Sequence, residues 1–278
     1  MRLQAFLPLV PYPDPLLPRA GSNAMTVAAR LDMEVHALVA NVQTPPLSSA
    51  LSKLLLTTPE LTQQANSKIR EHGEDILRIV ADQAKLSGVR LVADRIEMSL
   101  ALLGSLAAER ARYFDCSLIG WEAASQGFHT LAEDIIFGSG RPAILLPGSV
   151  KPAPFDHVAI AWDGSRVAAR AVADAAPLLG RTSRISVITV IDEKELREEN
   201  PGARLARGLQ ERGLLAEMLA ALNDGGDIAI TLQENAIQSG AGLLVMGGYG
   251  HTRIRDFVLG GATDGVLRDL RLPILISH

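Results

Sequence analysis

Leu243-Leu-Val-Met-Gly-Gly-Tyr-Gly250 is an apolar run that ends abruptly in glycines, and after nine more residues Gly260-Gly261-Ala-Thr263 opens a predicted helix. A strand that leads into a loop without Cβ atoms lets backbone N–H groups approach an anion closely. The helix that follows directs its unpaired N–H groups and its positive dipole end to the same place. The stretch therefore predicts a strand, a glycine loop and a helix that together cradle a phosphate.

A weak internal repeat extends this pattern to the rest of the chain. Cys116-Ser-Leu-Ile-Gly120 resembles Leu243-Leu-Val-Met-Gly247, and Arg141-Pro-Ala-Ile-Leu-Leu-Pro147 resembles Leu272-Pro-Ile-Leu-Ile-Ser277. In each copy strands alternate with helices and a strand comes last. This order predicts an α/β fold with two tandem, doubly wound parallel sheets that have helices on both faces.

The proline-rich stretch 148–155 lacks periodicity and is the predicted linker between domains at 1–148 and 155–278. Predicted strands lie near 2–9, 34–41, 90–97, 116–120, 142–146, 157–162, 184–191, 243–247 and 273–277. Predicted helices lie near 18–31, 60–86, 100–113, 165–179, 202–212, 227–240 and 261–270.

The segment 214–222 is ambiguous. Its sequence, Leu-Leu-Ala-Glu-Met-Leu-Ala-Ala-Leu, has high helix propensity. The repeat requires a third strand there, to match the strand near 90–97. We predict a strand, and loss of that strand from the second domain is the alternative.

Composition excludes several classes of function. The chain is 47% hydrophobic and only 4% aromatic, with a net charge of −4 and no basic run, so nucleic acid is not an expected partner. Cys116 is the single cysteine, which excludes an intrachain disulfide and a cysteine-built zinc site. The apolar N-terminus is short and is interpreted as a strand, and no run approaches the ~20 residues of a membrane span. We expect no membrane association and a cytoplasmic location.

Two further strand ends of the second half carry candidate ligand residues. The first strand ends at Asp163-Gly164-Ser165, where a carboxylate can accept hydrogen bonds from a ribose or an adenine amino group. Capping of the next helix explains Asp163 at least as well. Val190 ends the second strand and can pack against a flat base, although ordinary core packing is the stronger explanation for a single valine.

Three charged or titratable residues follow the glycine loop. One of His251, Arg253 and Arg255 can approach a phosphate, whereas a solvated surface position is the expected role of the others. His251 can be considered as a general base. No neighbouring pair of nucleophile and base accompanies it, so no catalytic residue is predicted.

The second half resembles the universal stress protein family, whose signature is G-x-x-G-x(9)-G-[S/T]. Gly247, Gly250 and Gly260 fit this spacing, and the sequence from Met246 to Gly261 is similar to that of tandem bacterial members. The resemblance covers 155–278 well and extends to 1–148 only through the repeat and its topology.

The resemblance implies an adenine nucleotide site in which Asp163 holds the adenine side, Val190 lines the base and the glycines hold the phosphates. One departure is Gly261, where the family has Ser or Thr, so a hydroxyl contact is lost. Thr263 can supply a hydroxyl from the same helix. The implied ligand-binding residues are Asp163, Gly164, Val190, Met246, Gly247, Gly250, His251, Gly260, Gly261, Ala262 and Thr263.

The first half departs further from the family pattern. Its first strand runs into Pro11-Tyr-Pro13 without an aspartate, and its fourth strand ends in Gly120-Trp-Glu, where Trp121 would obstruct the site and Glu122 would repel phosphate. Phe137-Gly-Ser-Gly140 is interpreted as a remnant of the glycines that open the last helix. We hypothesise that this half does not bind nucleotide.

The predicted function is that of a tandem universal stress protein, a regulatory stress-response protein that binds ATP, with or without Mg²⁺, or ADP or AMP, and reports it to a protein partner. No metal-ligating residue is predicted, and enzymatic activity is expected to be a weak ATPase at most. The alternatives are an interaction protein without nucleotide and, less favoured, a slow ATP hydrolase. An ATP pyrophosphatase is rated low because only Asp163-Gly164-Ser165 stands where it needs a serine-rich loop.

The resemblance also implies two domains of one Rossmann-like, adenine nucleotide alpha hydrolase-like type that pack as an intrachain pseudo-dimer. In family dimers the last strands of two domains pair, and the corresponding segments here are 143–146 and 274–276. Such pairing covers two open sheet edges. Association of two chains into a homodimer is left open.

Overall fold

Contacts divide the chain into two compact units. The structure, a computed structural model, describes residues 2–12, 18–43, 58–122, 125–192, 200–248 and 262–278. The first unit comprises Met1–Gly120 and Ser125–Ser139, and the second comprises Trp121–Ala124 and Gly140–His278. The ranges 1–148 and 155–278 are the two sequence repeats. Their use as domain boundaries stays a prediction.

The first unit is built on parallel strands in the order β3-β2-β1-β4. Its strands are β1 (Leu3–Leu9), β2 (Met33–Gln43), β3 (Leu91–Ser99) and β4 (Cys116–Trp121). Its helices are α1 (Pro18–Arg30), α2 (Thr58–Ser87), α3 (Leu103–Ala111) and α4 (Gln126–Ser139), and a 3-10 turn at Leu100–Leu102 precedes α3.

The second unit has strands in the order β5-β10-β9-β6-β7-β8, all parallel except β5, which runs antiparallel to β10. Its strands are β5 (Ala143–Pro147), β6 (His157–Ala161), β7 (Arg184–Val190), β8 (Ala216–Ala221), β9 (Leu243–Gly247) and β10 (Ile274–Ser277). Its helices are α5 (Arg166–Leu179), α6 (Pro201–Gln210), α7 (Ile228–Gln238) and α8 (Ala262–Arg268).

Aliphatic runs form the central strands because both faces of a parallel sheet are covered by helices. Every residue of β5 and of β10 is buried. Among the described residues, no helix has the length and apolar character needed to cross a membrane. The predicted α/β, doubly wound fold is confirmed.

The ambiguous segment 214–222 contains a strand. β8 pairs in parallel with β7, with Ile185 opposite Ala216 and Val190 opposite Ala221. Pairing at the edge of an existing sheet outweighs the helix propensity of these residues, which amounts to tenths of a kcal/mol per position. The predicted strand is confirmed.

The predicted pairing of the two last strands is also confirmed. Ile274 lies opposite Leu145, Leu275 opposite Ile144, and Ile276 opposite Ala143. The pairing leaves neither of these apolar strands with an open edge on that side.

Helix α4 was not predicted, although its sequence contains the signal. Its buried residues Phe128, Leu131, Ala132, Ile135 and Ile136 follow the three-and-four spacing of an amphipathic helix. Phe137 and Gly138 lie inside this helix, and Gly140, with φ of +68°, follows its end. The interpretation of this segment as a remnant of the glycines that open the last helix is therefore wrong.

The thiol of Cys116 is expected to be unreactive in the folded protein. Cys116 is buried at the start of β4, and burial, together with the neighbouring charge of Asp115, raises its pKa to about 12. Because the thiolate is the reactive form, a disulfide reagent at pH 8 should titrate no thiol in the native protein and one thiol in guanidinium. A full native titration within minutes would contradict this placement.

Stability is expected to fall as pH drops from about 6.5, the ordinary value for histidine. Burial, followed by the charge of Arg184, lowers the pKa of His157, whose Nε2 lies 2.9 Å from Ser186 Oγ. At pH values between the lowered pKa of the folded state and the ordinary pKa of the unfolded state, His157 is mainly neutral in the folded protein and mainly protonated in the unfolded chain. The free energy of unfolding therefore rises with pH in this range, and this contribution to stability is lost towards acid.

His157→Asn should flatten this slope in urea unfolding experiments between pH 5 and 7. The matched control is His72→Asn, a change at an exposed position on α2. Equal slopes in the wild type and in His157→Asn would exclude His157 as the source.

Candidate functional site at the carboxyl edge of the second sheet

The candidate site lies where the strand order of the second unit reverses. β6 pairs in parallel with β7 on one side and with β9 on the other, with Val158 opposite both Ile185 and Leu243. The chain builds β7 and β8 outward from β6 and then crosses over to build β9 and β10. In doubly wound sheets, ligands bind at the carboxyl ends of the strands at such a switch point.

Asp163 lies in the tight turn between β6 and α5. Its side chain is exposed, and its Oδ1 accepts a hydrogen bond from the Ser165 amide at 2.9 Å. Gly164 adopts φ of +74°, a left-handed conformation that favours glycine. Ser165 caps α5, since its Oγ accepts from the Ala168 amide at 3.2 Å. Asp163 thus shapes the start of α5 while its carboxylate remains at the surface of the switch point.

The start of α6 borders the same turn. A Cβ at Gly164 would lie 3.8 Å from Cβ of Pro201, the first residue of α6. No sequence signal indicated that α6 lies beside this turn. Proline at a first helical position marks a helix start, but it does not reveal which turn that start approaches.

Val190 is a core residue at the end of β7. It is 8% exposed and lies opposite Ala221 of β8. Asp192, two residues later, is engaged in a turn: its carboxylate accepts from the amides of Asn223 at 2.7 Å and Asp224 at 2.8 Å. The Asn223 amide and then the Asp224 amide hold the pKa of Asp192 below its ordinary value. Within the described ranges, no group of three or more His, Cys, Asp or Glu residues is arranged to hold a metal ion.

Gly247 ends β9 in direct contact with the first turn of α5. A Cβ there would lie 2.5 Å from the carbonyl carbon of Val167 and 2.6 Å from the amide nitrogen of Ala168. The glycine therefore lets the helix backbone rest on the strand end. It also fixes the end of β9 beside the helix that starts from the Asp163 turn. Met246 is buried and lies opposite Ile276 of β10.

Ala262 and Thr263 open α8, and Thr263 is buried. α8 packs closely on α7, because a Cβ at Gly265 would lie 2.6 Å from Cβ of Ala229. The predicted site residues Gly250, His251, Gly260 and Gly261 lie outside the described residues. The structure therefore places Asp163, Gly164, Val190, Met246 and Gly247 at one sheet edge and gives Thr263 a position in α8.

Trp121, predicted to obstruct the first half, is 2% exposed and packs within the second unit. Its indole Nε1 donates a hydrogen bond to the carbonyl of Leu267 in α8 at 3.0 Å. No sequence signal indicated this contact, which joins residues 146 positions apart.

These features define a doubly wound α/β protein with a switch point at the carboxyl edge of its second sheet. The model of the universal stress protein family matches residues 154–278. The second half of the chain therefore carries a universal stress protein domain. No curated protein sequence matches the chain significantly.

Solved structures extend the fold similarity to the whole chain. A universal stress protein from Archaeoglobus fulgidus DSM 4304 is similar over 99% of this chain and 96% of its own, with 15% identity and a TM-score of 0.70. A putative universal stress protein from Pseudomonas aeruginosa UCBPP-PA14 is similar over 99% and 93%, with 15% identity and a TM-score of 0.55. At these identities the similarity establishes the fold of both halves.

Gly247→Ala is expected to destabilise the protein by about 1–3 kcal/mol, because the added methyl meets the backbone of α5, which is not free to move aside. Gly208→Ala is the matched control, since a Cβ at that position in α6 meets nothing within 4 Å. Exchange of glycine for alanine in a helix should stabilise by up to about 1 kcal/mol. Equal midpoints of urea unfolding for the two variants would refute the close contact.

Proposed function

We propose that the second half of the chain binds ATP or a related adenine nucleotide at the switch point between β6 and β9. The observation that carries the proposal is the convergence of the Asp163 turn, the end of β7 and Gly247 at this edge in a universal stress protein domain.

The donor set suits an adenine nucleoside. The exposed carboxylate of Asp163 can accept hydrogen bonds from a ribose or an amino group, and its position in the turn is fixed by the Ser165 amide. Val190 offers an apolar surface at the neighbouring strand end. A rigid carboxylate beside an apolar surface orients a polar, flat ligand at little entropic cost.

The phosphate end of the site depends on the glycine motif and on α8. Gly250, Gly260 and Gly261 match the family spacing except for the hydroxyl missing at Gly261. Thr263 carries a hydroxyl in the first turn of α8. We assign the phosphates to this end of the site, with ADP, AMP and Mg²⁺–ATP as the related ligands to compare.

The first half is proposed to be without nucleotide. β1 runs into Val10 and Pro11, which are buried, and not into an exposed carboxylate such as Asp163. At the end of β4, Trp121 replaces the small residue found in the second half. The antiparallel pairing of β5 and β10 supports the role of the two halves as an intrachain pseudo-dimer. The biological role then follows from the family: a cytoplasmic, regulatory protein that signals nucleotide binding to a protein partner.

A second candidate function is that of an interaction protein without nucleotide. It is favoured by a specific observation: Asp163 and Gly247 each have a structural role, one in the turn before α5 and one in contact with α5. Both residues would then be retained for folding alone.

Calorimetry with ATP, ADP and AMP on the whole chain tests these candidates. Wild-type protein should bind ATP, and Asp163→Ala should weaken binding at least tenfold, since a hydrogen bond to a charged group contributes about 1.5–3 kcal/mol. Asp163→Asn keeps a side-chain oxygen that can accept from the Ser165 amide, but it removes the negative charge. The variant therefore tests the contribution of the charge to ligand binding while the turn is kept.

Glu211→Ala is the matched control, because it removes an exposed carboxylate at the far end of α6. Unchanged affinity in Asp163→Ala would mean that the assigned adenine end is wrong. Absence of heat and of any thermal shift at millimolar ATP in the wild type would support the protein without nucleotide.

A further inference from the structure

Trp121 occupies a position that is glycine in the other copy of the repeat. The repeat aligns Gly120 with Gly247 and therefore Trp121 with Gly248. A tryptophan at a strand end is normally partly exposed, but this one is 2% exposed. Its Nε1 donates a buried hydrogen bond to the Leu267 carbonyl at 3.0 Å.

Leu267 lies in the last turn of α8. Carbonyl groups in the last turn of a helix lack partners within the helix, and a buried one needs an external donor. Leu267 is itself buried, so water cannot readily replace the indole. Trp121 is thus the donor that satisfies the end of this helix.

The position of α8 depends on tertiary contacts of this kind. The helix has only seven residues, Ala262–Arg268, and helices of that length are not stable alone. The close approach of Gly265 to Ala229 fixes its distance from α7. The contact between Gly265 and Ala229 does little to prevent α8 from sliding along its own axis. The hydrogen bond from Trp121 to Leu267 opposes this sliding.

The indole projects from an anchored backbone. The Trp121 carbonyl accepts a hydrogen bond from the Gly148 amide at 3.2 Å, directly after β5. β5 is held in turn by its antiparallel pairing with β10. The donor of the bond to α8 is therefore fixed at both its backbone and its ring.

We propose that Trp121 is a positioning residue for the nucleotide site of the second half. It holds α8 by its C-terminal end and thereby sets the location of Thr263 at the other end of the helix. This inference rests on the proposed nucleotide binding. According to this proposal, Trp121 obstructs the corresponding position in the first repeat and supports the nucleotide site of the second repeat.

The test is Trp121→Phe, which keeps an aromatic ring and removes the N–H group. Amide hydrogen exchange in residues 262–268 should become about five- to tenfold faster, with β6 and β9 unchanged, because one buried hydrogen bond is lost. ATP affinity by calorimetry should fall by a similar factor. The matched control is Ser186→Ala, which removes a buried hydrogen bond to His157 near the amino ends of β6 and β7. It should leave both readings unchanged.

Unchanged exchange in 262–268 would overturn the proposal, and so would faster exchange with unchanged ATP affinity. If the wild type does not bind ATP, the proposed function fails and the ligand part of this inference fails with it, while the exchange data still decide whether Trp121 holds α8. If Trp121→Phe does not fold, the indole ¹⁵N–¹H resonance of Trp121 is followed in Trp162→Phe, where it is the single one. Saturating ATP should shift it, and an unmoved resonance would count against the proposal.

Discussion

The contact of α5 with the end of β9 is the constraint on which the arrangement of the second unit's site depends. It requires a residue without Cβ at Gly247, because Val167 and Ala168 occupy the space that a side chain would fill. The start of α5 is defined on its other side by the Ser165 cap and by the Asp163 carboxylate that accepts from the Ser165 amide. One strand end, one helix start and one turn are therefore fixed together, and a shift of any of them moves the others.

Much of this fold could be predicted because aliphatic runs, prolines and glycines mark the strands of a parallel sheet. The pairing of β5 with β10 was implied by the resemblance to a family whose dimers pair the last strands of two domains. β8 could be predicted only from topology: local propensity favours a helix, and its pairing partner Ile185 lies about thirty residues earlier in the chain. Helix α4 shows the opposite failure, since its periodic apolar residues are present in the sequence but its glycines suggested a remnant of the motif at the last helix.

The site was predictable in part, for a physical reason. Asp163, Val190 and Gly247 stand at strand ends, and parallel strands bring their carboxyl ends to one edge whatever the side chains are. The structural roles of these residues could not be predicted from the sequence. The contact of Gly247 with Val167 and the hydrogen bond of Trp121 to Leu267 join segments that are distant in sequence, and neither follows from spacing. Gly247 therefore meets a packing demand that its place in the glycine spacing does not reveal.

The ends of the fourth and fifth strands of the two repeats are joined in similar but not identical ways. In both, a backbone hydrogen bond joins the end of the fourth strand to that of the fifth: Gly148 N to Trp121 O, and Gly248 N to Ser277 O. The donor follows the fifth strand in the first repeat and the fourth strand in the second, and the aligned residue is Trp121 in one and Gly248 in the other. The fold of a solved universal stress protein extends over 99% of the chain with a TM-score of 0.70, whereas the family model matches 154–278. Backbone pairing thus joins the strand ends in both repeats although the side chains at those ends differ.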